Sequence, residues 1–239
     1  MNRNLQSIVF VVFFLFSSNL WATECQWWQT KVKASIIPQH KRDGQDVSKH
    51  SRQEHCREKW KGADLHIKQF RDDPIRGWDK KGETFKKWSR SEIHTILPLL
   101  PKLPPWTRVD KYTFLRADRS IHQGNSATSE LTNRVIILYD KFFTHEDKLG
   151  VIGHEVSHFV FQELSNPEIS EFEKLSGWTI ETKGRKVYVV PPKNPIKPDS
   201  IIDSEEDFTN HAEVYISKPG ELKKINPKIY EFFLKRFPK

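Results

Sequence analysis

Lys148-Leu149-Gly150-Val151-Ile152-Gly153-His154-Glu155-Val156-Ser157-His158-Phe159-Val160-Phe161-Gln162-Glu163-Leu164 is the stretch whose reading decides the fold. Its apolar positions Leu149, Ile152, Val156, Phe159 and Val160 fall at intervals of 3, 4, 3 and 1. Such intervals line one stripe of an α-helix, the stripe a helix turns toward a core. The spacing predicts a helix from about Glu146 to Leu164, with Thr144 and Asp147 as a capping pair and Asn166-Pro167 as its end. His154 and His158 stand four residues apart in it, one turn along a single face.

Working outward, Arg134 to Asp140 (RVIILYD) has the β-branched run of a strand buried on at least one face. Tyr112 to Leu115 reads as a second short strand, and the Gly/Ser/Asn/Thr-rich segment His122 to Asn133 between them as a loop. Downstream, Pro167 to Leu175 is predicted helical and stopped by Gly177. Trp178 to Val190 is predicted to be a hairpin turning at Lys183-Gly184. The four prolines of Pro191 to Pro198 make a connector. A helix opens at Ser204 and runs to about Ile216, and a last one covers Glu221 to Phe237 with an interruption at Pro227. Upstream, Ser51 to Phe70 and Thr84 to Leu97 look helical, and Pro98, Pro101, Pro104 and Pro105 mark a boundary. The expected fold class is α+β: a domain over residues 98–239 with a small mixed sheet, a central helix and C-terminal helices. A small, mostly helical region, residues 23–97, precedes it.

The chain has 239 residues, a formal charge of +8 and 29% charged residues. Sixteen Phe, eight Trp and five Tyr are too many for a chain that stays solvated, so full disorder is excluded. One apolar run, Ile8 to Phe16, excludes a polytopic membrane protein. With Arg3 before it and Ala22 after it, that run reads as a signal peptide over residues 1–22, which implies a periplasmic or secreted protein with no stable membrane span after cleavage. Arg3 is the only charge in that segment, so the basic excess belongs to the rest of the chain. In an oxidising compartment the only two cysteines, Cys25 and Cys56, are expected to form one disulfide. A basic chain suits an acidic partner, but no nucleic-acid-binding motif accompanies the charge, and a nucleic acid is not expected.

The chemistry is carried by His154-Glu155-Val156-Ser157-His158. Two imidazoles at i and i+4 can reach one zinc ion, and the Glu between them can act as general base on a water held there. A catalytic zinc site needs a third protein ligand and one open position. Phe161 and Leu164 occupy the places where a further Gly and His would continue the motif, so the third ligand is expected downstream, in Ser204-Glu205-Glu206-Asp207-Phe208. Glu206, Asn210 and Glu213 fall at i, i+4 and i+7 on one helix face. Glu206 is the candidate ligand and Glu213 the reserve. Asn210 or Glu213 is expected to hold a histidine N–H, while Glu205 and Asp207 supply charge to the helix N-terminus. His211, Tyr215, Tyr139 and Tyr188 are candidates to hold a developing oxyanion.

The segment from Asn125 to Glu213 resembles bacterial zinc-dependent metallopeptidases of the gluzincin type. The matching pieces are Ile136 to Phe142, then His154 to His158, then Gly177-Trp178, then Ser204 to Asn210. The resemblance implies a zincin-like catalytic domain in which His154, His158 and Glu206 are zinc ligands and Glu155 is the general base. It implies hydrolysis of a protein or peptide substrate. The departure is Asn210, where many gluzincins place an acid. Two other readings use the same residues: a zinc amidase acting on the peptide cross-links of the cell wall, and a non-catalytic module in which zinc is structural.

Overall fold

A computed structural model of the chain describes residues 25–33, 35–37, 40–42, 45–47, 50–52, 55–60, 62–73, 83–122, 124–183 and 186–237. The expected signal peptide lies outside the described residues. The chain divides into two compact units, Met1–Arg57 and Glu58–Lys239.

Among the described residues of the first unit, and just past its end, the elements are short strands. They are β1 (Gln29–Val32), β2 (Ser35–Ile37), β3 (His40–Arg42), β4 (Gln45–Val47), β5 (His50–Arg52) and β6 (His55–Glu58). β1 pairs with β6, β2 with β5 and β3 with β4, so the pairings nest inside one another. Cys25 and Cys56 form a disulfide across 31 positions. In the chain-entropy picture a loop of that length is worth about 3–4 kcal/mol. The helix expected over 51–70 is therefore corrected. The Lys, Arg and Glu of this stretch favour a helix locally, but Cys56 is tied beside β1, where strand pairing wins. Among the described residues there, only α1 (Ala63–His66) and a 3-10 turn to Gln69 are helical.

The second unit is mixed α and β. α2 (Arg90–Ile96) starts six residues later than its apolar pattern suggests, because Ser89 and Glu92 form a capping box. Ahead of it the chain is extended, and Phe85 bridges to Ala117. The sheet has three strands: β7 (Thr113–Arg116), β8 (Ala127–Glu130) and β9 (Val135–Leu138), in the order β7-β9-β8. β7 runs parallel to β9 and β8 antiparallel to it. All four residues of β9 are buried, as its run of Val, Ile and Leu requires of a central strand. β8 falls inside the segment read as a loop. Its Thr and Ser look like loop residues, but pairing with β9 supplies what their side chains do not.

Helices follow: α3 (Asp140–Thr144), α4 (Lys148–Gln162), α5 (Asn166–Ser176), then β10 (Thr179–Lys183), β11 (Lys186–Val190), α6 (Ser204–Ser217), α7 (Pro219–Ile225) and α8 (Pro227–Arg236). α4 is the helix of the apolar stripe, with its cap shifted. Thr144 ends α3, its hydroxyl donating to Lys141 O, and Asp147 caps α4 by accepting from Gly150 N at 2.8 Å. α5 ends at Gly177 in the left-handed conformation, φ 103°. β10 and β11 form the expected antiparallel hairpin, Lys183 opposite Lys186.

α4 belongs to two apolar clusters. Val151, Ile152, Val156 and Phe159 pack with Phe114, Ile136, Leu138 and Phe142 beside the sheet. Val160 and Phe161 pack with Phe172, Phe208, Tyr215 and Phe233 among the C-terminal helices. α6 crosses close to α4: a methyl group added at Gly153 would lie 3.0 Å from Ile216 Cδ1. That approach sets the site.

Candidate metal centre

His154 and His158 sit one turn apart on α4, ring centroids 5.0 Å apart. α6 faces them. Its first turn is fixed by Asp203, whose carboxylate accepts from Glu206 N at 2.8 Å. That cap puts three acids, Glu205, Glu206 and Asp207, in the turn that meets α4.

The two histidines use their ring nitrogens in the same way. The Nε2 atoms converge on Glu206, at 3.5 Å for His154 and 3.9 Å for His158. Ligand atoms of His154, His158 and Glu206 all lie within 4.8 Å of one another. The Nδ1 atoms point outward onto two other carboxylates, Glu213 at 3.4 Å from His154 and Glu205 at 2.9 Å from His158. A neutral imidazole that gives one nitrogen to a metal and its N–H to a carboxylate is held in the tautomer and orientation ligation needs. Glu213 is further paired with Lys197, and Glu205 accepts from Gln162 Nε2 at 2.8 Å.

Without a metal this cluster shares protons. Burial disfavours a charge on His154, but the hydrogen-bonded Glu206 and Glu213 outweigh it and push the imidazole up to about 10. The same hydrogen bond to His154 holds Glu206 below the usual carboxylate range against its burial. Burial alone would raise Glu213, yet His154 and Lys197 keep it low too.

Glu155 lies on the cleft side of α4 and is 7% exposed. Its Oε2 lies 2.7 Å from the Ser129 hydroxyl on β8. The cleft around these groups has a volume of about 880 Å³ and is lined also by His122, Lys141, His145 and Lys197.

The expected ligand group thus comes together, with Glu206 in it and Glu213 behind His154. Two readings need correction. Glu205, assigned only to the helix end, holds His158 Nδ1, because the first turn of α6 is where the two helices meet. Asn210 holds no histidine: its Nδ2 donates to Asp199 Oδ1 at 2.7 Å and to Ser200 Oγ at 3.0 Å, tying α6 to the connector before it. Asp207 is buried at the far side of α6 and accepts from Trp178 Nε1 at 3.0 Å.

None of the four residues considered for an oxyanion lines the cleft. Tyr139 donates to Glu83 Oε1, His211 Nδ1 lies 2.8 Å from Asp207 O, Tyr215 packs among the C-terminal aromatics, and Tyr188 is exposed on β11. Sequence reading missed Ser129 and Lys197. Neither carries a local signal, since each meets its partner only through the fold.

Among the described residues no helix is long and apolar enough to cross a membrane. No family model matches the chain, and no curated protein matches it in sequence. The functional reading therefore stands on the chemistry of two imidazoles and one carboxylate gathered in a cleft.

Proposed function

We propose that the protein is an exported zinc-dependent metallopeptidase with a zincin-like catalytic domain, of the gluzincin type. The observation that carries this is the convergence of ligand atoms of His154, His158 and Glu206 within 4.8 Å of one another. The donor set fits zinc. Two imidazole nitrogens and a carboxylate are the donor set of a catalytic zinc site, with Glu206 Oε2 3.5 Å from His154 Nε2 and Glu206 Oε1 3.9 Å from His158 Nε2. Among the described residues the group has three members, which leaves a fourth position open and favours a catalytic over a structural role.

Zinc bound there would act as a Lewis acid, making a coordinated water acidic and polarising a peptide carbonyl. The chain's own residues do the rest. Glu155 accepts the proton of the attacking water and delivers it to the leaving amine. Glu205 and Glu213 stand at the Nδ1 side of the two imidazoles, orienting each ring so that its Nε2 faces the metal position. The cleft positions a peptide against them. The Cys25–Cys56 disulfide supports export, since such bonds persist in oxidising compartments.

The test is zinc content and hydrolysis of labelled casein by the wild type and Glu155→Gln. The expected outcome is one zinc per chain in both proteins, with kcat reduced by at least about 100-fold in the variant. A variant that keeps zinc and full activity overturns the general-base assignment. A wild type that takes up no zinc overturns the whole reading.

A further inference from the structure

We propose that Ser129 is a positioning residue for Glu155, holding one carboxylate oxygen so that the other is presented to the cleft. The inference rests on the metallopeptidase reading for its catalytic meaning, but not for the contact itself.

The contact is unusual in its economy of protons. Ser129 Oγ lies 2.7 Å from Glu155 Oε2 and also 2.7 Å from the Glu155 main-chain oxygen. A serine hydroxyl has one hydrogen, so it cannot donate to both at once. When Glu155 is ionised the carboxylate is the stronger acceptor. The hydrogen then goes to Oε2, and Oε1 is left for a reacting water.

Place in the fold explains why Ser129 can do this. It sits on β8, opposite Ile136 of β9, and its strand packs against α4. β9 is wholly buried, so the serine backbone is fixed by the sheet. A glutamate on a helix has three rotatable bonds, and a single fixed donor removes much of that freedom before substrate arrives. No other side-chain hydrogen bond to the Glu155 carboxylate is found among the described residues. The wall of the cleft made by β8 thereby sets the orientation of the acid on α4.

The test begins without chemistry. Chemical denaturation of the full chain, with and without zinc, is compared for wild type, Ser129→Ala, Glu155→Ala and the double variant. Coupling is expected: Ser129→Ala should raise the unfolding constant by roughly tenfold in the wild type, the weight of one charge-assisted hydrogen bond. In the Glu155→Ala background it should cost markedly less. Equal losses in both backgrounds would mean that the hydroxyl serves only the main-chain oxygen, and would overturn the proposal. Turnover of labelled casein is the second readout. Ser129→Ala is expected to lower kcat about tenfold with KM and zinc stoichiometry unchanged, and Ser129→Thr, which keeps the hydroxyl, to recover most of it. A change in KM alone, or no recovery with Thr, would also overturn it. If the wild type binds zinc but hydrolyses nothing, the metallopeptidase reading fails, while the denaturation cycle still decides whether Ser129 holds Glu155.

Discussion

α4 and α6 build the site together from opposite materials. α4 is a mostly apolar helix that lends two imidazoles: it buries Val151, Ile152, Val156, Phe159, Val160 and Phe161, with Glu155 and Ser157 as its buried polar groups. α6 buries Asp207, Thr209, Asn210, His211 and Glu213 along with Phe208, Ala212 and Tyr215. Burying polar groups is costly unless each finds a partner. On α6 most do: Trp178 for Asp207, Asp199 and Ser200 for Asn210, His154 and Lys197 for Glu213. The difference teaches that α4 is positioned chiefly by its core, whereas α6 adds a set of partnered polar groups to its apolar contacts. The acids of α6 are not interchangeable, because each answers a different nitrogen.

The sharpest way to break that comparison is to exchange the acids. Glu206→Gln should weaken zinc binding by more than about 100-fold, beyond what the loss of an outer partner costs. Glu213→Gln should weaken it by only about 10-fold to 100-fold, since Glu213 touches the back of His154. Chelator competition measures both, and the reverse order would make Glu213 the ligand. Glu205→Gln should fall in the same lower range, because its contact is to His158 Nδ1. No effect on zinc affinity would return Glu205 to the helix end.

A smaller effect is expected from pH. In the metal-free protein the carboxylates of α6 hold a proton on His154 with a pKa of about 10. Zinc bound as proposed would have to displace that proton, so raising the pH favours the metal. Apparent zinc affinity should rise by up to about tenfold per unit between roughly pH 7 and 9. Calorimetry in buffers of different ionisation enthalpy would register the released proton, and a flat profile would contradict the proton-sharing cluster. The least effect is expected where the helices touch. Gly153→Ala places a methyl 3.0 Å from Ile216 Cδ1 and should cost about 1 kcal/mol net, with helix propensity offsetting part of the crowding. A stabilised variant would show that the helices have room to part.

The same contrast explains what could be read in advance. α4 was legible because its apolar stripe and its histidines share one period, so pattern and chemistry agree. That Glu206 would lie with His154 and His158 was legible because a metal-binding group of two histidines calls for an acid and α6 offers one beside a helix start. Glu205 was not, because its partner is 47 positions away and nothing in the local sequence separates it from a charge at a helix end. β8 was hidden for a related reason: Thr128 and Ser129 resemble loop residues until β9 pairs with them. In the first unit one disulfide between Cys25 and Cys56 follows from their number, yet the sequence from Ser51 to Phe70, which holds β6, reads as helix. A covalent tie is visible in sequence, but the ladder it imposes is not.

The membership of α4 in two apolar clusters has a consequence in time. His154 and His158 lie within the first cluster's stretch of the helix, between Ile152 and Phe159, with the second cluster starting at Val160. Fraying from either end would have to dissolve a cluster before it reached them. The amides of this central stretch should therefore exchange with solvent only when the whole unit opens, at the slow limit of the molecule. A bound ion would then leave by exchanging its ligands one at a time, and its residence would be governed by coordination chemistry rather than by breathing of the helix.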